Sequence, residues 1–510
     1  MYARINSLGL LGLNAFPVTV EIETSDGVEA FDIVGLADIS VKESRERIRA
    51  AFRNYNINFP QASVLVNLAP ADVKKTGAVH DLAIAVAVMR ILGYSSTEYL
   101  AKSVFLGEVA LSGEIRPVKG VLPMAILAKE SGMERIFVPV DNLREASVVE
   151  GIECYGVGSL GELVLHLCGR TEIAAAKPYK PENTSYYGNV DFMDVKGQET
   201  AKKALEIAAA GGHNVLMIGP PGSGKSMLAK RMPSILPAMT FAESIETTKI
   251  HSVAGLIDKD DPLITVRPFR SPHHTVSSAG LAGGGSIPKP GEISLAHNGL
   301  LFLDELAEFS RTSLEILRQP LEDKRVTISR AFGTISYPSS FMLIGAMNPC
   351  PCGYYGHPTR KCICSHKQVV NYLNKISGPL LDRFDIHIEA APVEYADLSS
   401  KEKAESSAEI RARVQKARDI QTARFEGTDI ICNAGITPNK LQEFCPMTDD
   451  ADQALKKVFD NLGLSGRAFD KLMKLSRTVA DMDNSEVISK AHVLQAVQYR
   501  SLDRKYWNDK

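Results

Sequence analysis

The stretch that most constrains how this chain can fold is Gly219-Pro-Pro-Gly-Ser-Gly-Lys225-Ser226. It lies between the apolar run Val215-Leu-Met-Ile218 and the helix-compatible Met227-Leu-Ala-Lys230. A strand, a glycine-rich turn and a helix start, in that order, make a phosphate cradle. Gly219, Pro220, Pro221, Gly222, Ser223 and Gly224 form the turn, whose glycines let backbone N–H groups close around a β-phosphate. Lys225 then reaches the β/γ oxygens, and the Ser226 hydroxyl ligands Mg²⁺. ATP and Mg²⁺ are therefore the expected cofactors.

Two further strands answer to that cradle. Gly299-Leu-Leu-Phe-Leu-Asp304-Glu305 reads as a buried parallel strand with carboxylates at its C-terminal edge. Asp304 is placed to hold Mg²⁺ through water and Glu305 to polarise the attacking water. Phe341-Met-Leu-Ile-Gly-Ala-Met-Asn348 ends in an amide that can orient the lytic water or contact the γ-phosphate. Asn is also a common turn former at strand ends, so the residue alone leaves both readings open.

A length of 510 residues suggests about three domains, and 45% hydrophobic with 23% charged residues excludes global disorder. No run of 18 apolar residues suggests a membrane span, and the first residues lack a signal pattern, so a cytoplasmic protein is expected. A net charge of −2 does not advertise a nucleic-acid binder, but a local basic pore can be focused within an acidic exterior.

Of the eight cysteines, Cys154, Cys168, Cys432 and Cys445 are scattered and read as small core residues. The other four form Cys350-Pro-Cys352 and Cys362-Ile-Cys364 in one short segment. In a reducing compartment four clustered thiolates suit tetrahedral Zn²⁺ better than disulfides. The C-x-C spacing is tighter than usual for zinc, His357 and His366 are possible substitute ligands, and free or redox-active thiols remain the other reading.

Residues 1 to about 170 alternate strand-like runs (Val18–Ile22, Ala62–Asn67) with helical ones (Val41–Ala50, Asp81–Met89). A polar stretch with prolines from Lys177 reads as a linker. Beyond the nucleotide core, Ile410, Val414, Ala417 and Ile420 fall at helical spacing. The expected plan is 1–172 as an α/β domain, 173–190 as linker, 191–395 as nucleotide core and 396–510 as helical lid. Within the core, His273 and His274 read as hydrogen-bonded loop histidines rather than a metal pair. Gly280-Leu-Ala-Gly-Gly-Gly285 and Lys289 suggest a flexible hairpin, and residues 323–341 suggest a second one with Arg330 near its tip. From 311 to 330, Arg311, Arg318, Lys324, Arg325 and Arg330 face Glu315, Glu322 and Asp323, so any pull on DNA must come from the tip. Such a tip is either a solvated face or a pore lining.

Taken together, Gly219–Ser226, Phe269–Ser278, the glycine-rich hairpin, Gly291–Glu305, Asn348-Pro-Cys-Pro-Cys352 and Lys375-Ile-Ser-Gly-Pro-Leu-Leu-Asp-Arg-Phe-Asp-Ile-His387 resemble the YifB/ComM family across essentially the whole chain. These are bacterial magnesium chelatase-like AAA+ ATPases. The resemblance implies an α/β AAA+ P-loop core with a helical lid, preceded by a Lon-protease-like (S5-type) α/β domain. It implies a hexameric homo-oligomer and assigns Arg383 as an arginine finger acting in trans and Arg467 as the lid arginine. Gly107–Gly120 carries the likeness to Lon, but the nucleophile and base positions fall on Val79 and Leu122. A hydrolase needs both groups, so that domain is expected to bind or assemble rather than cleave. The function implied is an ATP-driven motor on branched or single-stranded DNA, independent of sequence, with branch migration in recombination or natural transformation as its task. The DNA contacts expected from charge are Lys289, Lys324, Arg325 and Arg330. A chaperone-like ATPase that remodels a protein partner or assists metal insertion is the alternative. Intact Lys225, Asp304 and Glu305 oppose a non-enzymatic scaffold.

Overall fold

The computed structural model of the chain describes residues 1–181, 190–285, 288–330, 333–392, 404–500 and 506–507. Contacts divide it into two compact units, Met1–Thr184 with Ser244–Ile264, and Ser185–Glu243 with Thr265–Lys510.

The first unit is built on a seven-stranded mixed sheet. Its spatial order is Ala30–Val34, Ser63–Ala69, Asn14–Ser25, Tyr2–Leu11, Ser103–Phe105, Arg135–Pro139 and Glu153–Val157. Tyr2–Leu11 and Asn14–Ser25 form a long antiparallel hairpin in the register Ile5↔Val20. Alternation along it buries Ile5, Val18, Val20 and Ile22. Helix Asp81–Ile91 carries Leu82 to Met89 without a polar break, and all eight side chains are buried. Such an unbroken apolar helix is stable only inside a core.

Helix Val121–Glu130 starts at Gly120, whose φ of +73° and closeness to Leu10 suit glycine. Leu122 is fully buried there, and its N–H donates to Glu145 Oε1 at 2.9 Å. The position at which the likeness to Lon led to the expectation of a base is thus an apolar core residue.

The segment 244–264, which the sequence plan puts inside the nucleotide core, packs with this first unit instead. Ser252 donates to Glu145, Arg144 Nη1 donates to the Asp260 carbonyl at 2.7 Å, and Leu263 joins the apolar cluster around Leu122. The start of the expected linker is also fastened here. Ala176 N–H donates to the Cys154 carbonyl at 2.8 Å and Tyr179 N–H to the Ser147 carbonyl at 2.9 Å. Residues 182–189 of that linker lie outside the described residues.

The second unit holds a five-stranded, all-parallel sheet in the order Phe269–Arg270, Leu300–Leu303, Met342–Met347, Val215–Ile218, Ile386–Glu389. The three central strands are buried at every position, as expected for parallel strands covered on both faces. Their core is continuous with the C-terminal helices: Val215, Phe302 and Ile344 belong to one cluster with Ile410, Val414, Leu472 and Val479. Each such fully buried side chain contributes about 1.5–3 kcal/mol. Helix Ser407–Arg424 begins with a capping box in which Ser406 and Glu409 satisfy each other's backbone N–H groups. Its buried stripe is Ile410, Val414, Ala417 and Gln421; the expected fourth position, Ile420, is only half-buried. Gln421 takes that place because Nε2 donates to the Ala210 carbonyl at 3.1 Å and Oε1 accepts from Asn433 N–H at 3.0 Å. A buried amide with both ends bonded has its desolvation cost offset. Among the described residues no helix is long and apolar enough to cross a membrane.

Candidate nucleotide site

Strand Val215–Ile218 delivers the glycine-rich turn to the carboxyl edge of the sheet, and helix Lys225–Arg231 leaves from it. A Cβ on Gly219 would sit 2.3 Å from the Ala390 carbonyl oxygen, so no side chain fits there. Gly222 and Gly224 take φ of +80° and +84°, a left-handed backbone that glycine adopts without strain. Lys225 Nζ donates to the carbonyls of Gly219 at 2.7 Å and Pro220 at 2.9 Å. It also lies 3.3 Å from Ser223 Oγ and 3.4 Å from Asn348 Oδ1. Burial pushes the Lys225 ammonium down to about 8, against the opposing pull of the Asp304 carboxylate.

The sheet order brings the acidic and amide-ending strands beside this turn. Ser226 Oγ donates to Asp304 Oδ2 at 2.5 Å, so the hydroxyl and carboxylate assigned to Mg²⁺ already converge on one point. Hard oxygen donors of this kind fit that ion. Asn348 meets Lys225 at the mouth of the turn, which favours its phosphate-facing reading over that of a simple turn former. Glu305 follows Asp304 in the left-handed region, φ +52° and ψ +45°, with its N–H bonded to Asp304 Oδ1 at 3.0 Å. A non-glycine residue in that region is uncommon and carries local backbone strain.

Two residues join the site that sequence reasoning missed. Gln198, at φ +63° before helix Glu199–Gly211, donates from Nε2 to the Ala391 carbonyl at 2.5 Å and the Ser223 carbonyl at 3.3 Å. It ties the turn to the end of strand Ile386–Glu389, and nothing in its local pattern marks it. His274 places Nδ1 at 3.2 Å from Glu305 Oε2. The vicinal histidines were the visible trace, but their target was not.

The two arginines are placed differently. Arg383 pairs with Glu322, and its side chain is 11% exposed. Arg467 lies exposed in the first turn of helix Gly466–Met482. Among the described residues no hydrogen bond or ion pair joins either side chain to the glycine-rich turn of its own chain.

The cysteine loop begins two residues after Asn348. The four sulfur atoms of Cys350, Cys352, Cys362 and Cys364 lie within 4.8 Å of one another. Three of their separations are 3.4, 3.5 and 3.7 Å. A tetrahedron with Zn–S bonds of about 2.3 Å has edges of about 3.8 Å, so the donor set fits zinc with little movement. His357 is turned away into its own loop, accepting from Arg360 N–H at 3.0 Å, and among the described residues no histidine joins the sulfur cluster. The loop touches the phosphate cradle: a Cβ on Gly353 would fall 2.5 Å from Pro221 Cδ.

The two hairpins pack together. Gly283–Gly284 pairs with Lys289–Pro290, and Arg325–Arg330 pairs with Gly333–Pro338. The fully buried Tyr337 donates its hydroxyl to the Pro288 carbonyl at 2.8 Å. Lys289, Lys324 and Arg325 are exposed. The register fixes where the charge lies along the hairpin: Arg325 pairs with Pro338 at the open end, and Lys324 precedes the strand at φ +55°. Only Arg330, opposite Gly333, belongs to the tip, and its side chain lies outside the described residues, as do 331–332.

Comparisons with known proteins agree with this geometry. The family model described as magnesium chelatase, subunit ChlI, matches residues 191–398. Models of subunit ChlI and of its C-terminal part match 20–142 and 404–500. The chain is 40% identical over 508 residues to the competence protein ComM of Haemophilus influenzae, covering 98% of each. It is 40% identical over 503 residues to the uncharacterized protein YifB of Escherichia coli, covering 98% of this chain and 97% of that one. A shorter match, 30% identical over 189 residues, reaches Lon protease 2 of Bacillus subtilis and covers 31% of this chain and 33% of that one.

Proposed function

The chain belongs to the YifB/ComM family of magnesium chelatase-like AAA+ proteins, and on that premise we propose that it hydrolyses ATP to drive movement on DNA. The observation that carries the reading is the convergence of Lys225, Ser226, Asp304 and Asn348 at the carboxyl ends of three adjacent parallel strands. In this reading the turn 219–224 and Lys225 bind the phosphates. Ser226 and Asp304 hold Mg²⁺, which when bound supplies neutralisation of the β/γ charge. Glu305 takes the proton of the attacking water and Asn348 orients it against the γ-phosphate. Arg383 serves the site of a neighbouring copy in a ring, taken to be a hexamer, and Arg467 closes the lid over the nucleotide.

The DNA assignment rests on the competence name of the ComM relative and on the paired hairpins with exposed Lys289, Lys324 and Arg325. Contacts to backbone phosphates suit a motor that ignores sequence, and branch migration of transforming DNA is the task we assign. The four cysteines hold zinc that fixes the loop between Asn348 and Arg383. The Lon-like domain, with Val79 and Leu122 at the hydrolytic positions, binds or assembles.

The test is ATP hydrolysis with four-way DNA, with single-stranded DNA, and without DNA. Stimulation by DNA, lost when Lys324, Arg325 and Arg330 become Ala while basal hydrolysis persists, is the expected result. In the same variant, DNA affinity should fall uniformly across sequences and its salt slope should flatten. A protein with wild-type DNA affinity and salt slope after those changes would contradict the hairpin assignment. Hydrolysis indifferent to every DNA would contradict the motor.

A further inference from the structure

The ATP chemistry leaves the vicinal histidines without a part. Strand Phe269–Arg270 runs parallel to Leu300–Leu303, with Phe269↔Leu300 and Arg270↔Leu301 in register. The loop that leaves it therefore emerges beside the edge that carries Asp304 and Glu305. Both ends of that loop are fixed. Arg270 makes a bidentate pair with Glu292 at 2.7 Å and 2.7 Å, and Ser277 caps helix Ser278–Ala282 through Gly280 N–H at 3.0 Å.

Inside the loop the His274 ring is held on two sides. It packs against His273, the rings tilted by 34° with centroids 4.1 Å apart, and meets Phe309 edge-on at 6.4 Å. His273 is itself fixed by Thr275, whose hydroxyl lies 2.9 Å from its Nδ1. This positioned imidazole presents Nδ1 at 3.2 Å from Glu305 Oε2. A carboxylate only accepts, so the contact is favourable in the state in which Nδ1 carries the proton.

Glu305 needs such a hold. Its side chain is 58% exposed, and among the described residues no other ion pair or side-chain hydrogen bond grips its carboxylate. A free glutamate on the surface samples many rotamers, whereas a general base must stand within hydrogen-bond reach of one water.

We propose that His274 is the positioning residue of the general base: its Nδ1–H ties down Glu305 Oε2 and leaves the other carboxylate oxygen for the attacking water. The proposal rests on Glu305 being that base.

The full-length chain is assayed as wild type, His274→Ala, His274→Asn, Glu305→Gln and the double variant His274→Ala/Glu305→Gln. ATP turnover gives kcat and KM, and a fluorescent ATP analogue gives affinity. His274→Ala should lower kcat on the order of 10–100-fold, the cost of a misplaced reacting group, with KM and affinity within about threefold of wild type. Asn carries a donor nitrogen at the position of imidazole Nδ1, so His274→Asn should recover to within about threefold of wild-type kcat. The double variant should be no slower than Glu305→Gln alone. A His274→Ala kcat at or above wild type overturns the proposal. So does a His274→Asn protein as slow as His274→Ala. If His274→Ala loses analogue binding, His274→Asn decides: recovered turnover supports a donor at this place, and joint loss of binding means a purely structural residue. Full turnover by Glu305→Gln would instead overturn the identity of the base itself.

Discussion

At the scale of single residues, Lys225 carries a measurable consequence. Its ammonium is pushed down to about 8 by burial, with Asp304 pulling the other way, while an ordinary lysine titrates near about 10.4. Between those values the folded chain binds fewer protons than the unfolded one. The lowered value therefore costs stability fully below about pH 8, and the cost fades as pH rises towards the ordinary value. Nucleotide phosphates favour the charged form and return the group towards its ordinary value. Binding of ATP should then take up most of a proton per site at about pH 9 and little at about pH 7. Calorimetry in buffers of different ionisation enthalpy reads that number directly. Lys225→Arg, charged throughout, should abolish the uptake; the same uptake at both pH values would contradict the shift. Glu305→Gln tests a different link: affinity retained, kcat lowered about 10²–10⁴-fold. Lys225, Ser226, Asp304 and Asn348 were legible in the sequence because each is the residue at a strand end or helix start, where local pattern fixes position. His274 and Gln198 were not, because their partners, Glu305 and the Ala391 carbonyl, are set by how strands align in the sheet, which no local period encodes.

At the scale of elements, two fastenings can be cut separately. The first is the cysteine loop, which leaves the Asn348 strand and touches Pro221 through Gly353. Purified reduced protein should contain about one zinc per chain, and Cys350→Ser with Cys362→Ser should release it, since two thiolates cannot complete a four-ligand site. Elemental analysis finding no metal in the wild type would end that assignment. The second is helix Gly466–Met482, anchored to the strand beginning at Ile386. Burial would raise the Asp385 carboxyl, but Lys471 at 3.2 Å, His213 at 3.5 Å and the Asn214 N–H hold it well below the ordinary range. A carboxylate so depressed contributes stability above its unfolded value of about 3.9 that is lost as pH falls below it. Asp385→Asn leaves the half-buried Lys471 with only the Asp382 and Phe384 carbonyls as partners and should cost up to about 3–5 kcal/mol in the second unit's unfolding transition; an unchanged transition would show the pair to be idle. The apolar strand runs and the stripe of helix Ser407–Arg424 were readable from periodicity. The stripe's last buried position is Gln421, which hydrogen bonds bury and a hydrophobic count cannot register. Cross-strand register keeps Arg330 at the tip of the second hairpin and sets Arg325 at its root, as the flanking-strand pattern implied.

At the scale of the whole molecule, the path of the chain was the least legible feature. Segment 244–264 leaves the nucleotide core and returns, and its composition gives no sign of the excursion. Assembly was read from resemblance alone, and Arg383 makes it testable. The guanidinium pairs with Glu322, and among the described residues no hydrogen bond or ion pair joins it to the glycine-rich turn of its own chain; the proposed service to phosphate chemistry is therefore to another copy. Arg383→Ala should then lower hydrolysis about 10³–10⁵-fold with nucleotide affinity preserved. Mixing gives the sharper result. In a closed ring each interface pairs one chain's Glu305 with the next chain's Arg383. When Arg383→Ala and Glu305→Gln chains exchange at random in equal amounts, half the sites keep Glu305, and half of those face an intact Arg383. Hydrolysis should recover to about a quarter of the wild-type rate if interfaces act independently, and fall symmetrically as the ratio departs from equality. Residues acting within one chain would show no recovery at any ratio. Confirmed subunit exchange with flat, inactive mixtures would therefore place Arg383 outside the neighbour's site. A recovery well above a quarter would mean that one working interface drives others around the ring.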